Sequence, residues 1–167
     1  LGHGTYCFET RNLALPDPYM VGAGFLWHLF AAPTFQELDI EYARWGNAAD
    51  TCNSQYVVHP CTSCTGCGLK CLDHCQRFPV APADADADLT HYIIWEPGTV
   101  TFKTYRGRHC RGTPTPADLL QEWTPPASVT VPTPGLENFR FNHWLFQAHA
   151  PVQGHCMVIT DFRFVGP

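Results

Sequence analysis

Polar and apolar side chains alternate strictly over residues 37–42, where Glu37, Asp39 and Glu41 are separated by single apolar residues. A period of two is typical of a β-strand, and it places the three acids on one face of that strand and the apolar residues on the other. Acidic residues are unfavourable in strands, and like charges on one face repel each other. We therefore expect this acidic face either to be solvated or to carry out chemistry.

Short extended segments recur along the rest of the chain, and turns that contain Gly or Pro separate them. The Glu-Pro-Gly turn at 96–98 predicts a hairpin between two of these segments. Besides the acidic segment, the predicted strands are 5–10, 19–30, 54–59, 90–95, 99–105, 139–147 and 157–165. Many short strands joined by such turns predict an all-β sandwich or jelly roll.

Two further segments carry different signals. The sequence Thr-Pro-Ala-Asp at 115–118 is typical of a helix start, with Thr as the cap and Pro in the first turn. We therefore expect a short helix there that ends before Pro125. Residues 83–89 alternate Ala and Asp, and we expect them to form a polar loop.

The composition indicates one globular domain, residues 1–167, because 45% of the residues are hydrophobic. Charged residues make up only 15% of the chain and the net charge is -5, which argues against nucleic acid as a partner. The longest apolar run, 21–30, is interrupted by glycines and a histidine and is too short to span a membrane.

Nine cysteines and 15 prolines indicate an oxidising environment, so we expect a secreted or extracellular protein. Five of the cysteines lie within residues 60–82, which we interpret as a Cys-rich insertion within the domain. Disulfides are the favoured interpretation, with the other four cysteines as further partners, and the sequence leaves their connectivity open. A ferredoxin-type cluster and a zinc site that includes His74 are the alternatives.

Three acids on one strand face have the reach that glycoside hydrolysis needs. Residues four apart on a strand have Cα atoms about 13 Å apart, and glutamates that lean together can bring their carboxyls to roughly 5–5.5 Å, the separation in retaining glycosidases. One carboxylate would attack the sugar, the other would protonate the leaving oxygen, and the middle acid would share protons. The alternative is a solvated edge strand whose charges prevent edge-to-edge association.

The residues Glu37-Leu38-Asp39-Ile40-Glu41 follow the pattern Glu-x-Asp-x-Glu, and other segments agree with the same family in the same order. These segments are 1–6, 24–27, 40–47, 91–98, 142–144 and 161–164. Together they resemble glycoside hydrolase family 16, a group of laminarinases, lichenases and xyloglucan transglycosylases. The resemblance covers most of the chain outside 60–82 and 106–135, and it implies a concanavalin A-like β-jelly roll with a concave sugar-binding sheet.

The resemblance also implies a function and the roles of the three acids. It makes the chain a retaining endo-glycosidase or transglycosylase that acts on a β-glucan-like polysaccharide. Carried over residue by residue, Glu37 is the nucleophile, Glu41 is the acid/base and Asp39 is the assisting acid. No cofactor is required by this chemistry, and we expect no catalytic metal.

Sugar-binding residues follow from the same comparison. Trp144 and Trp27 are the first candidates to stack on sugar rings, with Trp45 next, because an indole face suits the apolar face of a pyranose. Asn142 shares a strand face with Trp144 and is the candidate to hydrogen-bond a hydroxyl. Family members often bind a structural calcium ion, and Asp161 is the weakly supported candidate for it here.

Two departures from the family pattern favour a second hypothesis. Family domains have strands ahead of the segment with which this chain begins, so we expect a missing N-terminal segment or another chain to complete the sheet. The Cys-rich insertion follows the strand after the acids, at the predicted border of the cleft. The alternative function is therefore a non-catalytic glycan-binding or structural domain of an extracellular matrix, wall or filament protein.

Overall fold

Two antiparallel β-sheets, packed face to face, form the protein. A computed structural model describes residues 1–28, 36–61, 73–150 and 153–167. The strands are β1 Gly4–Arg11, β2 Met20–His28, β3 Gln36–Ala43, β4 Ser54–Val58, β5 Cys75–Phe78, β6 Leu89–Glu96, β7 Thr99–Arg106, β8 Leu119–Trp123, β9 Asn138–Leu145 and β10 Val158–Val165. One α-helix, α1, spans Pro82–Asp86, and two 3-10 turns span Pro116–Asp118 and Phe146–Ala148.

The strand order places the acidic strand in the middle of its sheet. The first sheet has the order β10-β1-β6-β7-β8, and the second has the order β5-β4-β3-β2-β9. Each strand pairs antiparallel with its neighbours. The all-β jelly-roll sandwich expected from the pattern of short strands is confirmed. The edge-strand interpretation of the acidic segment is wrong, because β3 has a paired strand on both sides.

The hydrophobic core lies between the two sheets, where the apolar residues of the alternating pattern point. Leu38, Ile40 and Tyr42 on β3 are almost completely buried there. The core also contains two polar residues. The Tyr56 hydroxyl donates to Thr104 Oγ1 at 2.8 Å. Burial lowers the pKa of His91 to about 3. With the apolar side of β3 turned inward, its acidic side faces away from the first sheet.

The structure corrects two local expectations. Residues 83–89 are not a loop, because α1 covers Pro82–Asp86 and buries Ala85 beneath the core. The helix expected after Thr115 is a single 3-10 turn followed by β8. The side chains of Thr115 and Asp118 close a capping box at that turn, but the residues after it pair with β7 instead of continuing the helix. Sheet hydrogen bonds here outweigh a local helix signal.

The disulfide interpretation is confirmed for four of the described cysteines, but it is wrong for Cys156. Cys7 on β1 is bonded to Cys110, which follows β7, and closes a loop of 103 residues. Cys52 and Cys75 are also in disulfides, and Cys156 is an exposed thiol. Cys75 begins β5, so the last part of the segment 60–82 belongs to the second sheet, while residues 62–72 lie outside the described residues.

Apolar side chains are exposed at the side of the sandwich where β9 and β10 lie, each at one edge of its sheet. Phe139 of β9 and Phe162 of β10 have ring centroids 4.7 Å apart, so these edges are adjacent. Phe141 and Phe162 are each 37% exposed. The completion of the sheet by an N-terminal segment or another chain stays a prediction for this side. No helix among the described residues is long and apolar enough to cross a membrane.

A glycine on β2 allows the two sheets to approach, and its replacement tests the packing. A Cβ on Gly24 would lie 2.6 Å from the ring of Phe8, which is buried and in contact with other rings. We expect Gly24→Ala to lower the free energy of unfolding by about 1–3 kcal/mol, the usual cost of overpacking. Gly112→Ala is the matched control, because nothing lies within 4 Å of its added Cβ. Equal stability of the two variants in urea titrations would contradict this account of the core.

Candidate active site

The three acids of β3 occupy one face of the second sheet, with regular neighbours on both sides. On β2, Trp27 lies opposite Glu37, and Ala23 lies opposite Glu41. On β4, Gln55 lies opposite Glu41. Directly opposite residues in a sheet project from the same face. The face that carries the acids therefore also carries side chains from every strand of this sheet.

Strand β9 extends the same face beyond β2. Its residues pair with β2 so that Asn138 is opposite Trp27, Asn142 is opposite Ala23 and Trp144 is opposite Val21. The row that contains Glu41 therefore continues through β2 to Asn142. The structure brings all of the predicted sites of β2, β3 and β9 to one surface, which we call the acidic face.

The carboxyl groups on the acidic face are close together and poorly solvated. Asp39 is only 2% exposed, and Glu37 and Glu41 are partly buried. Burial and the charge of Asp39 raise the pKa of Glu37 from 4.5 to about 8. Burial and the charge of Glu41 hold the pKa of Asp39 well above its usual value. The pKa of Glu41 is raised by burial, and the hydrogen bond from Gln55 opposes this rise.

These shifts all favour the protonated forms of the carboxyls, because adjacent anions in a desolvated site repel one another. Glu37 and Asp39 share a hydrogen bond, so one proton lies between them. When that proton is on Asp39, Glu37 is an anion that can act as a nucleophile. When it is on Glu37, the anion is Asp39. The middle acid is thus placed to take up the proton that an attacking Glu37 must lack.

His59, which follows β4, is a member of the cluster that the sequence reasoning missed. Its Nε2 lies 3.3 Å from Asp39 Oδ2, and its backbone N–H donates to the Glu37 carbonyl at 2.9 Å. Burial lowers the pKa of the imidazole, so it is neutral near pH 7. Gln55 and His59 are four residues apart in the predicted strand 54–59, so both side chains lie on the same face of that strand. This spacing was the signal in the sequence, because a strand that pairs with β3 turns one such face toward the side of the sheet that carries the acids.

Glu37, Asp39 and His59 each have one atom that could bind a metal, and these three atoms lie within 4.8 Å of one another. A metal site would show the same spacing. The hydrogen bond to the second ring nitrogen of His59 decides against this interpretation. The Cys61 N–H donates to His59 Nδ1 at 3.1 Å, so Nδ1 presents a lone pair and the neutral ring carries its proton on Nε2. A histidine that binds a metal through Nε2 needs the opposite arrangement, with Nδ1–H as a donor.

Gln55, Trp45 and Arg77 form a hydrogen-bonded group beside Glu41. The side-chain oxygen of Gln55 accepts from Trp45 Nε1 at 3.1 Å and from Arg77 Nη1. The Gln55 Nε2 group donates to Glu41 Oε2. Trp45 therefore has a polar contact at the edge of the acid site. The sequence did not single out Gln55 or Arg77, because neither lies in a recognisable motif.

The aromatic residues proposed to bind sugar lie at both ends of the acidic face. The Arg140 guanidinium lies 4.3 Å from the centre of the Trp27 ring, so this indole is covered by a cation. Trp45 and Trp144 have ring centroids 6.2 Å apart, and Phe146 packs against both. Trp144 remains 42% exposed and is the more accessible platform.

Asn142 has a buried side-chain oxygen with no hydrogen-bond partner among the described residues. It lies in the row of Glu41, two residues before Trp144. An unpartnered buried amide oxygen is unfavourable, and it marks a place where a hydroxyl donor would be stabilised. Its role as a sugar ligand stays a prediction.

The structure does not favour Asp161 as a calcium ligand. Both of its carboxylate oxygens accept hydrogen bonds from Arg111, at 2.7 and 3.1 Å. The same carboxylate also accepts the backbone N–H of Phe162. A guanidinium in contact with both oxygens repels a divalent cation, so these residues do not fit a calcium site.

Comparisons with known proteins identify the fold by structure and not by sequence. No protein-family model matches the chain, and no curated protein matches it. The structure is similar to the Bacillus licheniformis beta-glucanase, with a TM-score of 0.58 and 16% identity over 100% of this chain and 68% of that chain.

Two further solved structures are similar. A prokaryotic beta-1,3-1,4-glucanase (lichenase) derived from a mouse hindgut metagenome has a TM-score of 0.51 and 15% identity, with 87% of this chain and 54% of that chain covered. A native glycosidic hydrolase has a TM-score of 0.54 and 14% identity, with 97% and 64% covered. The chain thus spans between about half and two thirds of the length of these structures. At such identity the likeness establishes the glucanase-type jelly-roll fold.

The raised pKa of Glu37 has a direct consequence for stability. The folded state binds a proton more tightly than the unfolded chain, so the free energy of unfolding falls as the pH rises from about 4.5 to about 8. One proton accounts for a slope of at most about 1.4 kcal/mol per pH unit, and solvent around this partly exposed carboxyl reduces it. Asp39 and Glu41 add to the slope with the same sign.

We expect Glu37→Gln to flatten this dependence, because an amide does not titrate. Urea unfolding at intervals between pH 4.5 and 8 measures the slope for wild type and variant. Glu96→Gln, at an exposed carboxyl at the end of β6, is the matched control and should keep the wild-type slope. A wild-type protein whose stability increases over this pH range would contradict the proton-sharing cluster.

Proposed function

We propose that the chain is a retaining endo-glycosidase or transglycosylase that acts on a β-glucan-like polysaccharide, of the kind that glycoside hydrolase family 16 contains. The observation that supports this most strongly is the alignment of Glu37, Asp39 and Glu41 on the acidic face, on the central strand of its sheet. Three poorly solvated carboxyls in contact are costly to maintain, and retaining hydrolysis uses such a set.

The proposed reaction begins with the proton between Glu37 and Asp39 on Asp39. The anionic Glu37 carboxylate attacks the anomeric carbon, while Glu41 gives its proton to the glycosidic oxygen that leaves. A covalent glycosyl ester on Glu37 results. The Glu41 carboxylate then removes a proton from water, or from a sugar hydroxyl in a transfer reaction, and the oxygen so activated displaces Glu37.

In the proposal, Asp39 compensates for the change of charge on Glu37 during the reaction by holding or releasing a proton. Glu37 is an anion before attack and a neutral ester after it, so a fixed charge beside it would favour only one of the two states. Asp39 is almost fully buried and hydrogen-bonded to Glu37, so its proton can follow the charge of Glu37. Burial strengthens this interaction because water does not compete.

Sugar binding in the proposal uses the aromatic residues at the ends of the acidic face. Trp144 offers the exposed indole, with Trp45 and Phe146 behind it. Trp27 lies beside Glu37, with Arg140 above its ring. We also propose that the protein acts outside the cell, because the disulfide between Cys7 and Cys110 is stable in an oxidising environment.

A non-catalytic glycan-binding or structural domain is the second candidate, and one observation favours it. Asp39 and Gln55 are each only 2% exposed, so little of the centre of the acidic face is open to solvent. A binding domain would need only the exposed aromatic surface around Trp144, whereas an enzyme must bring an anomeric carbon into contact with Glu37.

Activity measurements separate the two candidates. We expect reducing ends to be released from β-1,3-, β-1,4- or mixed-linkage glucan, and the first product to keep the β-configuration when its anomeric protons are followed by NMR. Glu41→Gln should lower kcat by about 10²- to 10⁴-fold, the usual contribution of a general acid. Glu37→Gln should lose at least as much, because no ester can form.

Glu96→Gln serves as the control, because Glu96 lies at the end of β6 in the other sheet. Glucan binding without turnover in wild type, or full activity in Glu37→Gln, would refute the enzymatic proposal. Binding that is lost in Trp144→Ala but unchanged in Glu37→Gln would then support the glycan-binding domain.

A further inference from the structure

Arg77 is a buried cation on β5, two strands away from the acids, and its contacts converge on the strands of the site. The residue is 2% exposed, and its guanidinium is 2.8 Å from Asp50 Oδ2. It also donates to the backbone carbonyls of Ala43, at 3.2 Å, and of Cys52. Charged residues are almost never fully buried unless they are paired, so these contacts are what allows Arg77 to be buried here.

The remaining contact of Arg77 is with Gln55, and it determines how the Gln55 amide is oriented. The Gln55 oxygen faces two groups that can only donate, the Arg77 guanidinium and the Trp45 indole N–H. With the opposite orientation, the amide nitrogen would face both donors. The NH₂ group of Gln55 must therefore point to Glu41, where it donates to Oε2.

A donor fixed on Oε2 of Glu41 has a chemical consequence. The carbonyl oxygen of a carboxylic acid accepts an N–H better than its hydroxyl oxygen does, so the Gln55 donor on Oε2 favours a protonated Glu41 that carries its proton on Oε1. A general acid is effective only when its proton lies toward the leaving oxygen. Among the described residues, the contacts of Arg77 and Trp45 with Gln55 are what keep this arrangement in place.

We propose that Arg77 is a positioning residue for Glu41, and that it acts through Gln55 to determine which Glu41 oxygen carries the proton. The proposal deepens the proposed function and rests on it where it speaks of proton delivery. Arg77 does not contact the reacting atoms in this scheme. Its charge and its bond to Gln55 both stabilise the anionic form of Glu41, which the acid becomes after it has given up its proton.

A titration of Glu41 must take into account the ionisable groups that surround it. The titratable groups near it are Glu37 and Asp39 on β3 and His59 at the end of β4, and the cation is Arg77 on β5. From β2 and β9, the residues in the row of Glu41 are neutral. Arg77 is thus the cation among these groups, and its charge lowers the pKa of Glu41.

Two variants test the proposal without leaving an unpaired buried charge. Arg77→Met combined with Asp50→Asn removes both partners of the ion pair, because loss of one partner alone would destabilise the fold. Gln55→Met removes the N–H that reaches Glu41 and adds no charge beside it. Arg108→Met combined with Glu9→Gln is the matched control, since it removes both partners of an ion pair on the first sheet in which Glu9 is buried.

The first measurement is a titration of Glu41 by NMR in protein labelled with ¹³C at the glutamate carboxyls, with Glu41→Gln used for assignment. We expect Glu41 to titrate at higher pH in both test variants and as in wild type in the Arg108/Glu9 variant. This readout does not depend on turnover. An unchanged Glu41 titration in either test variant overturns the proposal.

The second measurement concerns catalysis. In the Arg77/Asp50 variant we expect kcat/KM on polysaccharide to fall about 10- to 100-fold, the size of a misplaced catalytic group, with the basic limb of its pH profile moved upward. A 2,4-dinitrophenyl glycoside should lose much less, because its leaving group needs no proton. Equal losses on both substrates overturn proton positioning, whereas an inactive wild type with a shifted Glu41 titration refutes the enzymatic function alone.

Discussion

Repulsion among three carboxyl groups on one strand face is the constraint on which the rest of the site depends. β3 cannot bury its apolar side against the first sheet without presenting Glu37, Asp39 and Glu41 together on the other side. Because Asp39 is almost inaccessible, water does little to separate their charges. The cost is lowered by shared protons, by the Gln55 N–H that donates to Glu41 and by the buried cation of Arg77, while the His59 imidazole lies 3.3 Å from Asp39. Each neighbour can be understood as a response to that repulsion.

The two glutamates are treated differently by these responses. Glu37 is close to Asp39 and His59, so its charge depends on a shared proton. Glu41 is close to Gln55 and Arg77, so its anionic form is stabilised by a donor and a cation. The proposed reaction would use this difference, since its nucleophile changes from anion to ester and its acid changes from neutral to anion. The asymmetry arises from β4 and β5, since β3 itself is nearly symmetric about Asp39.

The sequence predicted the sandwich, most of its strands and the common face of the acids, because a period of two is a local signal that burial on one side enforces. It failed at 119–123, where pairing with β7 prevailed over a helix start at Thr115. It could not identify Arg77, because β5 lies within the Cys-rich segment 60–82 and its register with β4 is a non-local property. His59 and Gln55 were within reach of the pattern, but their neighbours on β3 become visible only once the register is known.

Arg77 is held close to two disulfide-bonded cysteines, and this links the acid site to the redox state of its surroundings. Arg77 donates to the carbonyl of Cys52 and lies two residues after Cys75, and both cysteines are in disulfides. Thiol reductants would therefore loosen the backbone that carries the cation, although no sulfur atom takes part in the proposed reaction. The reducing power of the surroundings thus becomes a condition on how Glu41 holds its proton, and a chain produced in a reducing compartment would carry the acids without the same control over them.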